Sequence, residues 1–324
     1  MLTLSQATRA RASSASAASA FVSASASFVV LLSLALVAPA ASAQTTSGVG
    51  VRAQGMGGAF TAVADDASAW WWNPAGLAGG PFFNALLEFD RPDTSTDDSV
   101  RGFSVAYPAL GATYYRFPLR QIRLSTSTET SASIRQDDEA ALRVYGATVG
   151  QSFGNHFVLG TTLKLLHADD VATNLTFDIG AMAAFGSARF GVVVRDVTEP
   201  DFRSDTGDRE FKLQRGARAG FALSSGRRGV VGSATLSVDA DLVTTHDPLR
   251  GDERVIAVGT EVWSTKSRIG IRGGLSSNRA VDQGLQVSGG LSFAIRSGTF
   301  GEAFISGGSD EVRHGWGVGL RVTF

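Results

Sequence analysis

Two runs of carboxylates, Asp65-Asp66 and Asp137-Asp138-Glu139, are dense enough to hold a cation. A calcium loop spaces its oxygen ligands at alternate positions around a glycine, and neither run does. A helix cap accounts for the first and a solvated loop for the second. The four histidines, His156, His167, His246 and His314, are scattered and show no i, i+4 or H-E-x-x-H spacing for a metal. Without cysteine the chain has neither a thiolate nucleophile nor a disulfide. Serine is plentiful, but no G-x-S-x-G elbow presents one as a nucleophile. Gly48-x-Gly50-x-x-Ala53 matches a dinucleotide fingerprint in letters only, since no strand precedes it and no βαβ unit follows. The residues predict no catalytic site, no metal and no cofactor.

Two other groups could bind without reacting. Trp70-Trp71-Trp72 could offer an aromatic surface to an apolar ligand. Adjacent side chains on a helix fan out, so packing is the preferred reading and not all three can face one ligand. Arg189, Arg195, Arg218, Arg268, Arg272 and Arg321, with Asp178, Asp239, Asp241 and Glu261, fall on the polar faces of alternating segments. Arginines gathered there could clamp a carboxylate. Both signs on one face favour instead an interior salt-bridge lattice, and a lipid-facing Arg at midplane would cost about 2–4 kcal/mol. Arg218, Arg268, Arg272, Asp239, Asp241 and Glu261 are therefore expected to line a lumen.

The elements that must position these groups are long strands. From about Phe82 onward apolar residues alternate with small or polar ones, in units closed by Gly, Asp, Ser or Pro. Trp316, Val318, Leu320, Val322 and Phe324 share one face, opposite Gly317, Gly319, Arg321 and Thr323. Ala234, Leu236, Val238, Ala240 and Leu242 likewise oppose Ser233, Thr235, Ser237, Asp239 and Asp241, and Ile269, Ile271 and Leu275 oppose Arg268, Gly270 and Arg272. A soluble sandwich alternates too, but these segments exceed its usual ~5–6 residues and match a tilted membrane crossing. The spacing predicts strands at about 82–90, 100–108, 111–117, 140–152, 156–167, 174–185, 187–197, 214–224, 231–243, 253–263, 267–275, 283–296, 299–307 and 314–324. An even number near fourteen suits an antiparallel transmembrane β-barrel. Short connections such as 185–187 and 224–229 would face the periplasm. The long polar ones, 118–139, 198–210 and 244–252, would lie outside as solvated loops.

Composition agrees. Charged residues are 18% of the chain, and 38 Gly beside 20 Phe point to tight turns and aromatic-rich strands. A formal net charge of −1 provides no basic field for nucleic acid. No interior run reaches the ~18 apolar residues of a spanning helix.

Arg9 and Arg11 precede the apolar run from Phe28 to Pro39, which leads to Ala41-Ser42-Ala43. That is a signal peptide over 1–43 with cleavage near Ala43. The Ser/Ala-rich, acid-free start also fits an organellar transit peptide or a mis-assigned start codon. From 44 to 81 the period is not two. Asp66 and Ser68 are placed to cap a short helix through Trp72, which Asn73-Pro74 would end. A compact, Gly-rich piece ahead of a barrel reads as a plug, with the barrel itself over 82–324.

The runs Gly55-Met56-Gly57-Gly58-Ala59, Asp65-Asp66-Ala67-Ser68-Ala69 and Trp72-Asn73-Pro74-Ala75-Gly76-Leu77 resemble the PorV/PorQ family, within the wider FadL-type family of outer-membrane transporters. The resemblance covers about 25 residues and implies an N-terminal hatch built around Asn73, Pro74 and Ala75. It also implies that the terminal strand ending at Phe324 is the signal read by the barrel-assembly machinery. The expected function is passage or binding of small hydrophobic molecules in an outer membrane, with outer-membrane lipid as the surroundings. The hatch (Asn73, Pro74, Ala75 and Trp70, Trp71, Trp72) would serve as ligand contact or gate. The alternative is an accessory role in protein secretion, with secretion-system proteins as partners. A third class, an outer-membrane hydrolase, would need a clustered Ser, His and acid. Pro108 and Pro118 bracket a short third strand and mark a candidate gap in the wall.

Overall fold

The structure, a computed structural model, describes residues 48–92, 99–118, 141–168, 172–203, 209–247, 251–280, 283–309 and 314–324. The expected cleavage site near Ala43 and the carboxylates Asp137-Asp138-Glu139 lie outside the described residues.

Alternation along the chain becomes a closed antiparallel barrel of fourteen strands. In chain order these are β1 Asn84–Pro92, β2 Val100–Tyr107, β3 Leu110–Pro118, β4 Ala141–Phe153, β5 Phe157–Ala168, β6 Asn174–Phe185 and β7 Ala188–Arg195, then β10 Gly216–Ser225 and β11 Val231–Asp241. The remainder are β14 Val255–Ser264, β15 Ile269–Asn278, β16 Gln283–Arg296, β17 Thr299–Gly308 and β18 Gly315–Thr323. β1 closes the wall by pairing with β2 on one side and β18 on the other, Glu88 lying opposite both Gly102 and Gly319. Closure leaves no sheet edge unpaired, the condition for strands in hydrocarbon.

The two faces sort as the sequence predicts. Ser237 and Asp239 are buried inside, while Leu236 and Val238 stand out from the wall. Arg321 points in, and Trp316, Val318 and Leu320 point out. Six short turns, the first strand's start and the last strand's end lie at one end, where Phe83 stacks on Phe324 at 5.8 Å and meets Tyr107 at 5.4 Å. Toward the other end, Phe89 meets Trp316 and Tyr114 meets Tyr145. Two aromatic levels around an apolar band are the sidedness of a membrane barrel.

Three expectations are corrected. The connections read as solvated loops at 198–210 and 244–252 contain hairpins, β8 Asp201–Arg203 with β9 Arg209–Lys212 and β12 Thr245–Asp247 with β13 Gly251–Glu253. Phe202 is fully buried, which a solvated loop would not do. The wall has no gap at the third strand: β3 pairs with β2 from Leu110 to Arg116 and with β4 from Leu110 to Pro118, because the two prolines fall at the ends of the ladder. Arg268 is exposed in the turn before Ile269, beyond the strand whose inner face it would have joined. Many glycines occupy inward strand positions, as Gly319 does in the sequence pattern of the last strand.

Candidate functional site

Those inward glycines seat the N-terminal segment. A Cβ on Gly319 (β18) would press on Val51, on Gly290 (β16) on Gly55, on Gly274 (β15) on Gly57, and on Gly259 (β14) on Met56. Further round, Gly220 (β10) and Gly191 (β7) lie against Thr61, Gly180 (β6) against Asn73, Gly160 (β5) against Pro74 and Gly150 (β4) against Ala78. The segment thus follows the inner wall strand by strand around most of the circumference. Gly160 is paired with both Gly150 and Gly180, which makes a bare strip across three strands. Only residues without side chains let a second backbone come this close.

Polar groups fasten the belt. Glu88 accepts from the N–H groups of Gly50 and Val51 at 2.9 and 3.2 Å, and from the Tyr115 hydroxyl at 2.7 Å. The N–H groups resembling a dinucleotide loop therefore bind a carboxylate of the barrel itself. Asp239 accepts from the N–H groups of Phe60 and Thr61 at 3.0 and 2.7 Å. Ser288 donates to the Gly55 carbonyl, and Arg218 to that of Gly58.

Neither Asp66 nor Ser68 caps the helix that ends at Trp72 with its side chain, because the two side chains bond to each other. The Asp66 Oδ1 accepts from the N–H and hydroxyl of Ser68, closing a tight turn, and only Ala69–Trp72 is helical. Asp65 and Asp66 both pair with Arg52, which also holds Glu261. From Glu261 the charges continue along the wall: Arg272 donates to it at 2.7 Å and also reaches Glu302, which accepts from Arg321. Arg218 pairs separately with Asp241 at 2.6 Å. Opposite, Lys164 bridges Asp178 and Asp196 at 2.8 and 2.6 Å. Among the described residues Arg52, Arg218, Arg272 and Arg321 are each held by a carboxylate in this alternating lattice, whereas Arg195 lies over the Trp71 ring.

The tryptophans fan out as three neighbours on a helix must. Trp70 tilts against Tyr115 at 5.0 Å, Trp71 stacks on Phe117 at 5.6 Å with Arg195 above its ring, and Trp72 meets Phe60 edge-on. Trp72 Nε1 donates to the Val49 carbonyl. Asn73 is fully buried, its Nδ2 donating to the carbonyls of Thr61 and Ala181 and its Oδ1 accepting from Ala75 N, with a 3₁₀ stretch Pro74–Gly79 following. Pro74 and Ala75 are buried with it.

The lumen is two-sided. On the long-connection side of the belt, Trp70 and Trp71 meet a cluster of buried apolar residues from β3 to β5 and the β8–β9 hairpin, including Phe117, Leu142, Leu166 and Phe202. The wall from β10 to β18 carries the arginine–carboxylate lattice, while Lys164, Asp178 and Asp196 form a separate ion cluster reaching β5 and β6. Sequence reasoning missed Arg52, Glu88, Tyr115, Lys164 and Glu302. The period of β1 was enough to point Glu88 inward, but nothing local names its partners 27 to 38 residues away. Phe324 ends the chain beside Phe83, whose backbone exchanges two hydrogen bonds with it.

No protein-family model matches the chain, and no curated protein sequence does. Solved structures share its fold. The CymD monoaromatic hydrocarbon channel superposes with a TM-score of 0.56 at 11% identity, over 86% of this chain and 98% of that one. The toluene transporter TbuX of Ralstonia pickettii gives 0.54 at 11%, over 86% and 98%, and the toluene transporter TodX of Pseudomonas putida gives 0.50 at 11%, over 87% and 98%.

Proposed function

We propose that this chain is an outer-membrane barrel through which small hydrophobic molecules pass, its N-terminal belt acting as the hatch. The observation that carries this reading is the apolar side of the lumen. Phe117, Leu142, Leu166 and Phe202 stand over Trp70 and Trp71 on the long-connection side, where a water-filled pore would be polar throughout. The fold shared with structures described as hydrocarbon channels and toluene transporters supports it. Residues 1–43 would be removed on export near Ala43, and Phe324 would mark the last strand for the assembly machinery.

In this reading a molecule partitions into the apolar side from outside, and Asn73 and Pro74 give way for it to leave toward the periplasm. Purified protein in liposomes loaded with a toluene-sensing dye tests it. Uptake should exceed that of an unrelated barrel and should change when Asn73 and Pro74 are replaced by Ala. Uptake equal to the unrelated barrel would reject the transport reading.

A second reading, that of the PorV/PorQ branch, has its own support in the closed belt and in the N-terminal run from Gly55 to Leu77. There the barrel would hold exported proteins at its long connections and transport nothing. Cross-linking from those connections that recovers no exported protein would exclude it.

A further inference from the structure

The short-turn end of the barrel is charged on one side only. Three consecutive hairpins carry five cations there: Arg227 and Arg228 between β10 and β11, Lys266 and Arg268 between β14 and β15, and Arg296 at the end of β16, where the chain turns into β17. The turns between β2 and β3, β4 and β5, and β6 and β7 hold no Lys or Arg, and none of the six turns holds an Asp or Glu. All five cations are exposed. Among the described residues none of them is in an ion pair, and Arg296 Nε only donates to the Thr299 hydroxyl. At the opposite end cations are answered within the chain, Lys212 and Arg215 sharing Glu199.

The three hairpins are neighbours because β11 pairs with β14 and β15 with β16. With strands ~4.8 Å apart, the six span an arc of roughly 24 Å. Unpaired charges of one sign along such an arc raise a positive potential that suits an anionic surface better than one small anion. Their height names the surface. Arg268 directly precedes Ile269 and Arg296 directly follows Ile295, both of which stand out from the wall toward lipid. Val230, two residues beyond Arg228, is 86% exposed. The cations thus stand where the apolar band ends, at the level of lipid headgroups, where Lys and Arg keep their stems on apolar surface and their charges in the polar layer.

We propose that this arc binds the phosphates of anionic phospholipids in the periplasmic leaflet, with Arg227, Arg228, Lys266, Arg268 and Arg296 as its contacts. The inference rests on the outer-membrane reading above, in which the short turns face the periplasm. A cation this close to an anionic membrane surface contributes about a fivefold preference, which falls as salt screens it.

The test uses barrel purified from outer membranes and offered phosphatidylglycerol and phosphatidylcholine with the same acyl chains, with retained lipid counted by native mass spectrometry. Wild type should retain phosphatidylglycerol over phosphatidylcholine, and the preference should shrink when the lipids are offered in high salt. The Arg227→Gln, Arg228→Gln, Lys266→Gln, Arg268→Gln variant should lose about tenfold or more of that preference. Gel mobility before and after boiling checks that the variant is folded; should it not fold, Lys266→Gln with Arg268→Gln replaces it, with a loss of about fivefold or more. Equal retention of the two lipids by wild type, or an undiminished preference in a folded variant, would overturn the lipid site and leave the outer-membrane reading standing. So would an acidic protein that cross-links to these hairpins and displaces the lipid. Absence of the wild-type barrel from the outer membrane would overturn both.

Discussion

Arg52 holds Glu261 with two donors, Nε to Oε1 at 2.8 Å and Nη2 to Oε2 at 2.7 Å, tying the N-terminal belt to strand β14 across 209 residues of sequence. Glu261 shares its carboxylate with Arg272, whereas Arg52 has Asp65 and Asp66 on its other side. The two ends of the pair are therefore not equivalent. Glu261→Ala strips a common carboxylate from two guanidiniums in the lumen and should cost about 3–5 kcal/mol. Arg52→Ala leaves Glu261 with Arg272, so the wall should stay intact while the belt loosens. Thermal loss of the folded gel band measures the first effect, and single-channel conductance in planar bilayers the second. Arg52→Ala with wild-type conductance and Glu261→Ala with wild-type stability would show that the pair does not fasten the belt.

The glycine strip gives a prediction with an internal control. A methyl on Gly180 would overlap Asn73 Oδ1, while one on Gly289, an outward position of the same barrel, meets nothing nearer than 3.9 Å. Gly180→Ala should destabilise by about 1–3 kcal/mol through overpacking, and Gly289→Ala should be close to neutral. Folding yield into detergent micelles across a urea series separates them. A neutral Gly180→Ala would mean that the belt can leave the wall without loss.

The strands were legible because the pleat imposes a period of two, and the bilayer turns that period into an apolar face and a polar face. Trp316, Val318 and Leu320 against Gly317, Gly319 and Arg321 is the plainest case, and the wall closes with the number of strands that this pattern predicts. What the pattern could not carry was the meeting of two segments. Gly160 and Gly180 fall inside strands in the sequence reading, but a glycine has no side chain to say what its face meets; their use appears only when Pro74 and Asn73 lie on them. Arg52 is a single cation in a segment without period, and its partners stand at 65, 66 and 261. Arg268 failed for the opposite reason: it obeys the period of β15 but falls just before the strand begins.

The tryptophan fan separates packing from ligand contact. Trp72 donates to Val49 and meets Phe60, both within the belt, so Trp72→Ala should destabilise by about 3–5 kcal/mol whatever the barrel transports. Trp71 lies under Arg195 and stacks on Phe117 at the apolar side of the lumen. Trp71→Ala should therefore alter the uptake of aromatic molecules more than that of aliphatic ones of equal size. Paired liposome uptake of toluene and heptane measures the ratio, and an unchanged ratio would assign Trp71 to packing alone.

Asp90 carries the last prediction. It points inward from β1, is 5% exposed, and neither carboxylate oxygen has a hydrogen-bond partner among the described residues. Its neighbour on the same face, Glu88, is saturated by Tyr115 and the belt's N–H groups, so it supplies no donor. A buried polar group without a partner costs about 1–3 kcal/mol, and replacing it with an apolar side chain of similar size removes that cost. Asp90→Leu should accordingly raise the urea midpoint of unfolding in micelles, and Asp90→Asn should do so by less, because the amide still lacks partners. If Asp90→Leu lowers the midpoint instead, the carboxylate has a partner that its surroundings in the barrel do not reveal. If the midpoint rises but uptake falls, Asp90 is retained for passage through the lumen at the expense of stability.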